Sequence, residues 1–295
     1  MKKLLSIFLS VLLLGTLLGC NNNDEDTIVI ASKPMTEQYI LVEMLTHLIE
    51  DNTDLEVEQD LGIGGGTSNI HPAMLEGDYD MYPEYTGTGW LFVLEEPLIR
   101  NSDELYNNVK AEYEEQFGIL WSDMYGFNNA YGLAVRETIA QEHDLNTYSD
   151  LAEVSDTLVF GAEYDFYERE DGYDALVEEY GFNFSDTSEL DIGLKYEAIG
   201  NEYVDVINIF TTDGRLEDFD VRVLEDDQNF FPTYYGATLV REEVYETHPE
   251  LEAIVNMLGG QISNEEMTNM NYRVEINNEN PKVVAREFLE EKGLR

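Results

Sequence analysis

Between Thr27 and Tyr85 the hydrophobic pattern changes period repeatedly, and this alternation constrains the fold more than any other feature of the chain. Thr27-Ile28-Val29-Ile30-Ala31 is an apolar run of strand length. Ile40, Leu41, Met44, Leu45, Leu48 and Ile49 then recur at helical spacing, with Thr36 as the expected N-cap and Glu37 in the first turn. Leu55 and Val57 alternate with Glu56 and Glu58 as in a strand. The glycine-rich turn Gly62 to Ser68 leads into a short helical stretch through Met74 and Leu75, and Tyr79 to Tyr82 supplies a third strand. Strand, helix, strand, helix, strand predicts an α/β fold with a parallel sheet and right-handed crossovers. Ligands of such sheets bind beyond the carboxyl ends of the strands, where Lys33, the glycine turn and Tyr85 fall.

Directly after the third strand, Tyr82-Pro83-Glu84-Tyr85-Thr86-Gly87-Thr88-Gly89-Trp90 crowds three aromatic rings, two threonine hydroxyls and two glycines into a turn. Such a stretch reads either as rings covering the edge of a core or as one wall of a site. Further on, Leu105, Tyr106, Val109, Tyr113 and Phe117 predict an amphipathic helix and Ile119 to Trp121 a strand. Two later passages resemble each other, Asn129 to Glu137 and Thr233 to Glu242: each has an aromatic residue and glycine, then a small apolar strand ending in Arg-Glu. They read as two chain crossings between a discontinuous first domain, 27–130 plus 236–295, and an inserted second domain, 131–235. Between them strands are expected over Leu158 to Gly161 and Val204 to Phe210, with helices near Tyr173 to Tyr180 and Leu194 to Ile199. The end of the chain is helical, with a capping box at Ser263 and Glu266, then Asn280, Pro281 and Gly293 in the expected order around the last helix.

Met1-Lys2-Lys3, the apolar block Leu4 to Leu18 and Gly19-Cys20 have the form of a secretory signal, the block being too short for a membrane span. Leu17-Leu18-Gly19-Cys20 resembles a bacterial lipobox, although Leu18 departs from its usual small residue. The expectation is a signal peptide over 1–19, lipidation at Cys20 and a polar tether over 20–26, placing the protein outside the cytoplasm on the membrane's outer face. Cys20 is the one cysteine, so no disulfide supports the fold. A length of 295 residues with 43% hydrophobic content allows two domains.

Sixty-two acidic residues against 16 basic ones give a net charge of −46, which excludes nucleic acid as a natural partner. Regular apolar periodicity argues against disorder, so the charge points to a halophilic source whose salt screens self-repulsion. His47, His71, His143 and His248 lack ligand spacing, so no metal site is expected. No cysteine nucleophile is available, and the glycine turn lacks the Lys-Ser/Thr ending of a phosphate loop. Glu225-Asp226-Asp227 reads as a solvated face. No cofactor is implied, and an enzyme is not expected. Aromatic chemistry remains: a trimethylammonium group donates no hydrogen bond and is held by ring faces and close packing.

The chain resembles the substrate-binding lipoproteins of ABC transporters for glycine betaine, carnitine, choline and related osmoprotectants. The resemblance rests on Ser32 to Gln38, Gly66-Thr67-Ser68, Tyr82 to Thr88, Gly126 to Asn129, Asp171-Gly172-Tyr173, Asp191 to Tyr196, Thr212-Asp213-Gly214 and Phe230 to Gly236. It implies a two-domain type II periplasmic-binding-protein-like fold that closes on ligand in the cleft between lobes. It also implies an aromatic cage at the positions of Tyr85, Tyr131, Phe210 and Tyr234, with Tyr235 as the alternative to Tyr234. Thr88 matches a pocket-shaping position, and Lys33 and Arg169 match positions facing a ligand carboxylate. Phe210 stands where the family usually has Tyr, and Gly132 where Ala is commoner. The implied ligand is a quaternary ammonium compound, glycine betaine first and choline as the alternative; the implied partners are the permease and ATPase subunits of an importer.

Overall fold

The computed structural model describes residues 26–168, 172–191 and 194–295. Among them ten strands form: β1 (Thr27–Ala31), β2 (Glu56–Asp60), β3 (Met81–Tyr85), β4 (Ile119–Trp121), β5 (Tyr131–Arg136), β6 (Val159–Glu163), β7 (Asp186–Leu190), β8 (Val206–Phe210), β9 (Val221–Val223) and β10 (Gly236–Arg241). They make two five-stranded sheets, ordered β2-β1-β3-β10-β4 and β7-β6-β8-β5-β9. Position for position the two orders describe one plan, and each sheet forms the centre of one lobe. The expected strand-helix alternation gives the parallel set β2-β1-β3, but β10 runs antiparallel to β3, with Gly236 opposite Tyr85. The physical reason is the route of the chain: β10 arrives from the other lobe at the carboxyl end of β3 and must run back along it.

The two passages ending in Arg-Glu occupy equivalent places. β5 pairs antiparallel with β8 as β10 does with β3, and the strands cross between lobes beside each other, joined by a bridge between Asn128 and Tyr235. Arg136 is paired with Asp205, whose other carboxylate oxygen accepts from the Val159 amide at 2.9 Å. Arg241 pairs with Asp80 at 2.8 Å, and Asp80 accepts from the Val29 amide at 2.8 Å. The same Arg–Asp–amide lock therefore sets strand register in both sheets.

Helices cover both faces. The helix Thr36–Asn52 buries Ile40, Leu41, Met44, Leu45, Leu48 and Ile49 against the first sheet and the last helix, Pro281–Lys292. Each such side chain stabilises by about 1.5–3 kcal/mol relative to exposure. Its N-cap is Met35 rather than Thr36: Thr36 is already helical, and the Met35 carbonyl accepts from the amides of Gln38 and Tyr39. The capping box at Ser263 and Glu266 is present, as are the Asn280 cap, Pro281 in the first turn and Gly293 in the left-handed conformation. The edge strands β7 and β9 have no period-two apolar signal, being polar and mostly exposed or very short. Asp226 departs from the solvated-face reading: its carboxylate accepts from the amides of Phe230 and Phe231, both at 2.9 Å, and from the Tyr180 hydroxyl. No described helix is long and apolar enough to cross a membrane. The lipobox, Cys20 and Arg169 lie outside the described residues.

Candidate ligand-binding site

The carboxyl ends of β3 and β8 carry Tyr85 and Phe210, which are equivalent positions in the two sheets. Tyr131 opens β5 directly opposite Phe210, and Tyr234 lies on the returning crossing just before β10. These four rings line one cavity of about 200 Å³ together with Lys33 and Thr88. All the ring positions expected from sequence, and two of the three polar ones, thus come together; Arg169 is not described. Met35, Asn129, Leu91 and Phe92 also line the cavity and were not singled out from sequence. Met35 lies within one of the recognised motifs and Asn129 closes another, so a signal existed at both.

Local geometry accounts for each placement. The short turn Thr86–Thr88 follows β3, and the Thr86 hydroxyl donates to the Thr233 carbonyl at 3.0 Å while accepting from the Tyr235 amide at 3.1 Å. Tyr235 is engaged through its backbone, and the Tyr234 ring faces the cavity. A Cβ on Gly87 would stand 2.7 Å from two Tyr234 ring carbons, so only glycine lets that ring lie against the turn. Tyr131 is braced by Phe210, Phe166 and Phe231, with ring centroids 5.0, 5.2 and 5.8 Å away. Tyr82 and Trp90 are buried away from the cavity. The Tyr82 hydroxyl bonds to Glu84, and the Trp90 indole N–H donates to the Pro97 carbonyl at 2.7 Å.

Lys33 lines the cavity, but its ammonium is already ion-paired with the fully buried Glu84. Glu84 also accepts from the Thr67 hydroxyl at 2.7 Å and the Tyr85 amide at 2.8 Å. Lys33 Nζ sits 4.8 Å from the centroid of Tyr85, so the face of this ring receives a cation in the structure itself. Behind Phe210 the second lobe holds a comparable pair: fully buried Lys195 lies 3.2 Å from Glu163, which Asn208 also contacts at 2.8 Å. Lys195 Nζ is 5.0 Å from the Phe210 centroid.

Glu37 is the residue whose importance the sequence did not reveal. Its carboxylate is buried and accepts from the Tyr85 hydroxyl at 2.5 Å, Asn129 at 2.9 Å, Thr212 at 2.7 Å and Asn271 at 3.3 Å. Burial pushes its pKa up, against the opposing effect of these four hydrogen bonds. The Tyr85 hydroxyl is pushed far above its ordinary value, by burial first and then by the Glu37 charge. Glu37 also borders a second cavity of about 400 Å³, which shares Met35, Asn129 and Phe210 with the first. No group of acidic, histidine or cysteine side chains suited to a metal occurs among the described residues.

Comparison with known proteins places this geometry. The family model for the substrate binding domain of ABC-type glycine betaine transport systems matches residues 26–291. An ergothioneine transport permease/ergothioneine binding protein of Helicobacter pylori is 41% identical over 98% of this chain, which spans 52% of that protein. A carnitine transport binding protein of Listeria monocytogenes is 37% identical, over 98% of this chain and 96% of its own length. A crystal structure described as that of a glycine betaine/carnitine/choline ABC transporter superposes with a TM-score of 0.85 at 33% identity, covering 90% of this chain and 98% of the other. The chain therefore belongs to the family of substrate-binding domains of ABC-type glycine betaine transport systems, as a two-lobed substrate-binding receptor.

Proposed function

We propose that the chain captures a betaine-type quaternary ammonium osmolyte outside the cell, glycine betaine first, and delivers it to the permease and ATPase of an importer. In this reading it is tethered through Cys20, with lobes 27–130 plus 236–295 and 131–235 closing on the ligand. One observation carries the proposal: four rings from equivalent strand ends and crossings of the two lobes line one small cavity. A desolvated ring face attracts a cation by about 0.5–2 kcal/mol. Four faces therefore supply much of the roughly −8 kcal/mol of micromolar binding. Because Tyr85 belongs to the first lobe's share of the chain and Tyr131, Phe210 and Tyr234 to the second's, a ligand that touches all four favours the closed form. Such short-range contacts persist at the high ionic strength that the acidic composition suits.

A second reading, a choline-selective receptor, is favoured by the pairing of Lys33 with Glu84, which neutralises the lysine before any ligand carboxylate arrives. Calorimetric titration with glycine betaine, carnitine, ergothioneine and choline distinguishes the two. The betaine reading expects the carboxylate-bearing compounds to bind more tightly than choline, and each of Tyr85→Ala and Tyr131→Ala to weaken binding by about 2 kcal/mol or more, roughly thirtyfold. Binding of choline alone selects the second reading. A wild-type protein that binds none of the panel, or alanine variants that bind as well as wild type, defeats both.

A further inference from the structure

Four donors from four separate segments converge on one buried carboxylate at the junction of the lobes. Tyr85 comes from the end of β3, Asn129 from the outgoing crossing, Thr212 from the turn after β8, and Asn271 from the helix Asn264–Glu275. Each oxygen of Glu37 takes two of them, so the carboxylate's acceptor capacity is well used. Asn271 also donates to the Thr212 carbonyl at 2.8 Å, which holds Thr212 by both its side chain and its backbone. Thr212 lies two residues beyond Phe210, so the clamp reaches the ring at the end of β8 as well as the ring at the end of β3.

The Tyr85 hydroxyl is bonded on two sides, accepting from Gln38 Nε2 at 3.1 Å and donating to Glu37. A ring held at its tip in this way cannot swing out of the cavity wall. A phenol that donates to a carboxylate also becomes richer in electrons, and its face attracts a cation more strongly. We propose that Glu37 is a positioning residue of the ammonium site: its carboxylate fixes the Tyr85 ring, enriches that ring's face, and ties it to the end of β8 through Thr212. The proposal rests on the ammonium-receptor reading and adds to it the group that readies the site.

The environment of Glu37 agrees with this role. Its neighbours at the junction are neutral donors, while the charged side chains around the second cavity are Asp213, Arg215 and Glu275. Glu275 repels it, and Arg215 is the cation among these lining residues. In its ionised form this carboxylate, bonded to the hydroxyl of a ring that takes a cation on its face, adds attraction for an ammonium ligand.

A double-mutant cycle tests the idea by titration with glycine betaine and carnitine. Glu37→Gln keeps the shape and removes the charge; Tyr85→Phe keeps the ring and removes the link. Each is expected to weaken binding about tenfold, and the double variant is expected to bind no worse than the weaker single one, because both changes break the same connection. A residue that merely supports the fold would lower the melting temperature while leaving the two effects on affinity additive. Additive effects, or an unchanged affinity in a folded Glu37→Gln protein, overturn the proposal. If Glu37→Gln does not fold, Tyr85→Phe decides alone: unchanged affinity overturns the link, and tenfold weakening in a protein of wild-type melting temperature upholds it. Wild-type binding is the control that separates the two levels. Its absence defeats the receptor reading and this one together, whereas wild-type binding with indifferent variants defeats only the role of Glu37.

Discussion

At the end of β3 the first lobe carries Tyr85, whose hydroxyl is tied to Glu37; at the equivalent end of β8 the second lobe carries Phe210, which has no hydroxyl to tie. Each ring has a lysine about as far from its centroid, 4.8 Å for Lys33 and 5.0 Å for Lys195, and each lysine is paired with a glutamate. The pairs are turned in opposite senses. In the first lobe the acid is wholly buried and the lysine reaches the cavity, while in the second the lysine is wholly buried and stays out of the cavity lining. One plan thus yields a polar, charge-bearing wall and an apolar one. Desolvation offsets most of the attraction in a buried ion pair, so placement of charge is the more informative difference between the lobes.

The largest expected effect tests that difference directly. Lys195→Met leaves Glu163 buried without its cation and is expected to lower the unfolding free energy by about 3–5 kcal/mol, read by urea denaturation, with ligand affinity changed less than about threefold. Lys33→Met is expected to destabilise as well, but also to change specificity: Glu84 becomes an uncompensated acid beside the cavity, and choline gains relative to glycine betaine. If the two variants shift the choline-to-betaine ratio equally, the lobes do not divide the work as described.

A smaller effect separates two glycines. A Cβ at Gly87 would meet the Tyr234 ring at 2.7 Å and the Thr233 carbonyl at 2.9 Å, whereas one at Gly132 would meet only Ile209 and Thr211 side chains, at 3.2 Å or more. Gly87→Ala is expected to cost about 1–3 kcal/mol of stability through overpacking, and to weaken binding roughly tenfold as Tyr234 is displaced. Gly132→Ala should alter stability by less than about 1 kcal/mol and leave the titration curve where it was. Equal behaviour would show that Tyr234 adjusts freely and that the turn after β3 does not set its position.

The fold was legible where the signal is local. Period changes marked β1, the helix after it, β2 and β3, and capping residues marked the helices at Ser263 and Asn280. The similar passages before Glu137 and Glu242 were visible, but their common cause, an Arg–Asp–amide lock in each sheet, depends on Asp205 and Asp80 far away in sequence. The ring positions came from the resemblance; spacing alone left Tyr85 open between core edge and site wall. Glu37 looked like an ordinary acid in a first turn, since three of its four donors arrive from segments that no local pattern links to it. The pairing of Lys33 with Glu84 was hidden for the same reason.

The smallest effect concerns pH, and its sign follows from burial. Glu37 has a raised pKa in the folded protein, so the native state keeps a proton that the unfolded chain has already lost. Its contribution to stability is then greatest below the unfolded carboxyl range and declines as pH rises toward the raised value. An ammonium ligand works in the opposite direction, because it favours the carboxylate. Affinity should therefore fall on acidification through the same window, by at most tenfold per pH unit. The slope belongs to Glu37 only if Glu37→Gln removes it, since Glu275 is also raised by burial and titrates nearby. Stability and affinity, measured against pH for wild type and Glu37→Gln, should thus differ with opposite signs between the two proteins. A wild-type affinity that stays flat, or a slope that the variant shares, would leave Tyr85 held by geometry alone and remove the electrostatic distinction between the first lobe's ring and Phe210.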